Sequence, residues 1–133
     1  MPCEPIKLHG RRLLIVEDEA LISMLMEDCL GDAGAKIIGS AITVAEALKI
    51  IENATLDGGL HAAVLDQNLV GELVTPVADR LTALGIPFLF ATGYDKDHDM
   101  RGHNAAPVVR KPFNSEELVA AVEALMPLDN KKS

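Results

Sequence analysis

Glu17, Asp18, Asp66, Thr92 and Lys111 are the side chains through which this sequence can do chemistry. Each stands at the end of a short apolar run: Glu17 and Asp18 after residues 13–16, Asp66 after 62–65, Thr92 after 86–91 and Lys111 after 107–110. Three clustered carboxylates repel one another, and Mg2+ relieves that repulsion because it is a hard ion that prefers oxygen ligands. An Asp side chain is ionised near neutral pH, so it can attack phosphorus without a general base and form an acyl phosphate. The metal and the Lys111 ammonium can then meet the negative phosphoryl oxygens, while the Thr92 hydroxyl donates a hydrogen bond to one of them. Taken singly, each residue has a plain structural role open to it: Glu17 and Asp18 as a solvated strand end, Asp66 as a turn-former or cap, Thr92 as a cap, Lys111 as a surface charge. Only their joint placement argues for chemistry.

The elements that must position them alternate. Residues 13–16 are apolar without alternation, as a strand buried on both faces is. Leu21, Ile22, Leu25, Cys29 and Leu30 then predict the inward face of a helix, with Glu27 and Asp28 outward, stopped by Gly31 and Gly34. A second strand is expected at 35–41. Thr43 and Glu46 form a capping-box pattern opening a helix that turns Ala47, Leu48 and Ile51 inward. The break at 57–59 precedes a third strand, 62–66. Thr75 and Pro76 start the next helix, with Pro at its first position and Val77, Leu81 and Leu84 inward up to Gly85. Strands at 86–91 and 107–110 follow, and Asn114 and Glu117 suggest a second capping box. It opens a last helix with Leu118, Val122 and Leu125 on the core face. Such an alternation predicts an α/β fold, a doubly wound five-stranded parallel sheet covered on both faces. A fourth helix is required across 94–106 by the crossover rule. Met100 is the only sizeable apolar side chain between Tyr94 and Ala105, so that helix is expected to be weak or mobile.

Bulk properties narrow the function. A chain of 133 residues with 49% hydrophobic content fits one domain. We expect that domain at 11–127, with tails at 1–10 and 128–133. A formal net charge of −8 disfavours nucleic acid as a partner. Cys3 and Cys29 form neither a disulfide framework nor a zinc pattern, and Cys29 is expected to be a small buried residue. With no apolar run long enough to span a bilayer and no leader pattern, no membrane association and a cytoplasmic location are expected. Asp95, Asp97, His98, Asp99 and His103 match no standard zinc spacing and read as a charge-rich segment. Met24 and Met26 read as packing or surface residues.

Four motifs in order carry a resemblance: residues 13–19 (Leu-Leu-Ile-Val-Glu-Asp-Glu), 65–71 (Leu-Asp-Gln-Asn-Leu-Val-Gly), 91–94 (Ala-Thr-Gly-Tyr) and 109–113 (Val-Arg-Lys-Pro-Phe). Together they resemble the receiver domain of bacterial response regulators, the CheY-like flavodoxin-type (βα)5 fold, over nearly the whole chain. The resemblance implies that Asp66 accepts a phosphoryl group from a histidine kinase or a histidine phosphotransfer protein. It implies that Glu17, Asp18, Asp66 and the Asn68 backbone carbonyl hold Mg2+, that Thr92 and Lys111 bind the phosphoryl oxygens, and that the bond before Pro112 is cis. The protein would then be a signalling phosphoacceptor rather than an enzyme. It would act as a phosphate shuttle or sink, or through a downstream protein on the face built from the fourth strand, the 94–106 segment, the fifth strand and the last helix.

Two positions depart from the family pattern. Val70 stands where receivers usually have Pro, and Val108 stands where they have an aromatic switch residue. Phe90 to Tyr94, with Pro107, resembles a receiver subfamily named for its Phe-Ala-Thr-Gly…Tyr motif, so Thr92 and Tyr94 are the switch candidates. A haloacid-dehalogenase-like phosphatase is the alternative, but such enzymes usually carry a second Asp where Asn68 stands. A flavodoxin-like electron carrier is disfavoured because Glu17, Asp18 and Glu19 would repel the flavin phosphate.

Overall fold

The computed structural model describes residues 8–66, 68–69, 72–92, 107–110 and 114–125. Its elements, in chain order, are β1 (Arg12–Val16), α1 (Ala20–Asp32), β2 (Lys36–Ala41), α2 (Val44–Thr55) and β3 (Ala62–Asp66). Then come the two-residue strands β4 (Asn68–Leu69) and β5 (Glu72–Leu73), followed by α3 (Thr75–Ala83), β6 (Phe88–Thr92), β7 (Val108–Arg110) and α4 (Ser115–Leu125). Five strands form one parallel sheet in the order β2-β1-β3-β6-β7. This is the expected doubly wound α/β sheet, and the strand order reverses direction between β1 and β3.

Alternation along the strands divides the apolar side chains between two cores. Leu14, Val16, Ala63, Leu65, Phe88 and Phe90 pack with Ala47 and Ile51 of α2 and Val77 and Leu81 of α3. Leu13, Ile15, Ala62, Val64, Leu89 and Ala91 pack with Met26 and Leu30 of α1 and Leu118 and Val122 of α4. A strand buried on both faces needs apolar residues at every position, which is why the runs 13–16 and 62–65 lack alternation. Each fully buried Leu, Val or Ile side chain contributes about 1.5–3 kcal/mol relative to exposure.

Helix ends follow local chemistry. The Thr43 hydroxyl accepts from Glu46 N–H at 3.1 Å, while the Glu46 carboxylate reaches back to Ile42 N–H at 2.8 Å. Asn114 and Glu117 exchange reciprocal bonds of 2.7 and 3.0 Å, a complete capping box. Gly34 and Gly85 end α1 and α3 at φ 97 and 75. In both cases the glycine and the residue after it close back on the last helical turn: Gly34 to Gly31 O and Ala35 to Leu30 O, Gly85 to Thr82 O and Ile86 to Leu81 O.

Several expectations change. Gly31 lies inside α1 instead of stopping it. The buried face of α1 is Ser23, Met26 and Leu30, with Ile22 and a half-buried Cys29 beside them. Leu21, Met24 and Leu25 face solvent, Leu21 at 75% exposure. Glu27 is partly buried and accepts a hydrogen bond from the Ser40 hydroxyl of β2. Met26, which the helical pattern had not placed inward, packs in the core, and Met24 lies on the surface. Thr75 is the first residue of α3 and Pro76 the second; Leu84 caps the helix and is exposed. The fourth sheet strand starts at Phe88, since Ile86 N–H is taken by the helix cap and Pro87 has no N–H to give. Leu8 is fully buried beside α1 and its N–H donates to Ala33 O at 2.8 Å. The helix expected across 94–106 lies outside the described residues.

Candidate functional site: a carboxylate cluster at the switch point

β1 and β3 run parallel in register, with Val16 opposite Leu65. The next residues, Glu17 and Asp66, therefore leave the same edge of the sheet side by side, at the point where strand order reverses. Ligands of open α/β sheets bind at that crevice. Carboxylate oxygens of Glu17, Asp18 and Asp66 lie within 4.8 Å of one another. Glu17 and Asp66 are 2% and 8% exposed, and Asp18 is half-buried. Glu17 N–H donates to Ala41 O at 2.9 Å, which ties the cluster to the end of β2.

Like charges this close raise the energy of the fold. Two unit charges at 4.8 Å repel by about 3.5 kcal/mol at an effective dielectric near 20. A hard divalent cation is the group that such an all-oxygen donor set fits. The Asn68 and Thr92 backbones are placed at this edge: β4 follows β3 after one residue, and Thr92 lies one residue beyond Ala91, the partner of Asp66. Thr92 in turn pairs with Arg110, the residue before Lys111. Lys111, Pro112, Tyr94 and the residues 95–103 of the discounted metal reading lie outside the described residues. Val108 is 50% exposed and paired with Phe90.

Two features of this edge were not anticipated. Asn68–Leu69 and Glu72–Leu73 form a small antiparallel ladder directly after Asp66, with Asn68 opposite Leu73. Gly71 between two short apolar pairs was the available signal. Glu19 N–H donates to Glu17 Oε2 at 3.2 Å, a contact within the loop that sequence reasoning passed over.

No protein-family model matches the chain. Among solved structures, SdrG from Sphingomonas melonis Fr1 is 45% identical, with 90% of this chain and 97% of that chain covered at a TM-score of 0.73. The response regulator PhyR from Brucella abortus gives a TM-score of 0.74 at 25% identity, covering 92% of this chain and 50% of its own. The phyllosphere-induced regulator PhyR of Methylorubrum extorquens is 31% identical over 113 residues, 83% of this chain and 41% of that protein. The chain belongs to the response-regulator receiver family. It spans less than half of the Methylorubrum relative and half of the Brucella chain, so it corresponds to one part of those proteins. In this receiver domain the carboxylate cluster stands at the carboxyl edge of β1 and β3. No helix among the described residues is long and apolar enough to cross a membrane.

Proposed function

We propose that this receiver accepts a phosphoryl group on Asp66. The observation that carries the reading is the gathering of Glu17, Asp18 and Asp66 within 4.8 Å at the end of the central strand. An oxygen of the Asp66 carboxylate attacks the phosphorus of a phosphohistidine and forms the new P–O bond. The P–N bond breaks, and its electron pair leaves on the imidazole nitrogen, which ends protonated. The donor is a histidine kinase or a histidine phosphotransfer protein. Bound Mg2+ supplies positive charge that offsets the three carboxylates and the incoming phosphoryl oxygens.

Glu17, Asp18 and Asp66, with the Asn68 carbonyl, would hold that ion. Thr92 and Lys111 bind the phosphoryl oxygens, and Pro112 after a cis bond sets the turn that carries Lys111. The protein acts in the cytoplasm as a response regulator or phosphate shuttle. Its output runs through another protein, on the face of β6, the 94–106 segment, β7 and α4. Phe90 to Tyr94 support membership of the Phe-Ala-Thr-Gly…Tyr subfamily, in which Thr92 and Tyr94 are the switch candidates. Val108, aliphatic and half in solvent, cannot supply a switching ring.

Incubation with Mg2+ and acetyl phosphate, read by intact mass, tests the reading. A single labile phosphoryl adduct is expected, absent from Asp66→Ala and strongly reduced without Mg2+. Absence of any adduct, together with no transfer from histidine kinases, would refute it.

A further inference from the structure

The carboxylate cluster and the first helix share a side chain. Glu17 belongs to the cluster, and its Oε2 also accepts the N–H of Glu19 at 3.2 Å. Glu19 is the N-cap of α1, but its own side chain makes no capping hydrogen bond, and the first turn contains no acidic residue. Its carbonyl accepts from Ser23 N–H at 2.9 Å, which closes the first turn of the helix. The side-chain acceptor for the N-cap N–H is therefore supplied from the cluster.

We infer that Glu17 is a positioning residue coupling cation occupancy of the cluster to the first turn of α1, an inference that rests on the cation reading above. A cation drawing on the Glu17 carboxylate weakens its hold on Glu19 N–H. It also adds positive charge beside the positive end of the helix. Filling the cluster therefore loosens the turn that carries the exposed Leu21. By linkage, whatever pins that turn lowers cation affinity by the same factor.

Amide hydrogen exchange with and without saturating MgCl2 tests this, with the thermal midpoint as a parallel measure of binding. The midpoint rises, while exchange at Glu19 and Ser23 accelerates about fivefold relative to Met26 and Leu30, as expected for loss of one ordinary hydrogen bond. In Glu17→Gln the amide oxygen still accepts from Glu19 but is a poor cation ligand. At MgCl2 levels that still raise its midpoint, the acceleration disappears. Glu19→Pro, which deletes the N–H itself, keeps the midpoint rise and shows no further change at Ser23. A midpoint rise with Glu19 and Ser23 unchanged or slowed overturns the coupling and leaves the cation site standing, as does acceleration that persists in Glu17→Gln. No midpoint rise in the unmodified protein overturns the cation reading itself.

Discussion

Neutralising Asp66 while keeping its shape should stabilise the protein when no divalent cation is present. Carboxylate oxygens of Glu17, Asp18 and Asp66 lie within 4.8 Å, so Asp66→Asn removes two of three pairwise repulsions. With full aqueous screening each is worth about 0.9 kcal/mol at that distance, and at an effective dielectric of 20 about 3.5 kcal/mol. Burial of Glu17 and Asp66 argues against the aqueous limit, and the half-buried Asp18 argues against the other. An amide also accepts hydrogen bonds less well than an ionised carboxylate, which works against the gain. The expected net effect is about 1–3 kcal/mol of added stability, a rise of roughly 3–12 °C in melting temperature for a domain of this size. Urea denaturation in chelator and in MgCl2 is the assay. The variant should be the more stable protein in chelator, and Mg2+ should close the gap because it has more charge to neutralise in the unmodified chain. If Asp66→Asn is less stable in chelator, or if Mg2+ stabilises both proteins equally, the electrostatic account of this edge is wrong.

The remaining predictions concern the scaffold. Leu14→Ala opens a cavity between β1 and the α2–α3 layer and should cost about 2–5 kcal/mol in chemical denaturation. Gly85→Ala puts a Cβ at φ 75 with no atom within 4 Å to clash, so its cost, about 1–2 kcal/mol in the same assay, isolates the left-handed backbone at the end of α3. Asn114→Ala removes one half of the reciprocal cap on α4 and should lose about 1 kcal/mol, with faster amide exchange at Glu117.

What the sequence made legible was whatever depends on strand burial and on strand ends. Runs such as 62–65 have no polar residue to place outside, so they fix a doubly covered strand, and the residue that ends the run falls at the sheet edge. Where contrast is missing, legibility fails. The first two turns of α1 are apolar nearly all round, with Leu21, Ile22, Met24, Leu25 and Met26 interrupted only by Ser23, so periodicity alone could not choose which stripe meets the sheet. The sheet chose Met26 and Leu30 and left Leu21 and Leu25 outside. Leu8 was invisible for another reason: so short an apolar stretch among charged residues has no readable period, and only its packing beside α1 gives it a place. The cluster of Glu17, Asp18 and Asp66 was legible because parallel pairing converts two strand ends into neighbours without any further signal.

The register says more about the site than the strand order does. Val16 opposes Leu65, so Glu17 leaves β1 at the level of Asp66. Asp66 opposes Ala91, so Thr92 lies one residue higher along the neighbouring strand. One residue of parallel strand is about 3.3 Å, comparable to the reach from a carboxylate oxygen through phosphorus to a further phosphoryl oxygen. Glu17 and Asp66 therefore share a level at the reversal point, and the backbone of Thr92 stands one residue further along. A metal site needs only the shared level. The raised step is the backbone position that the phosphoryl reading proposed above would ask of Thr92.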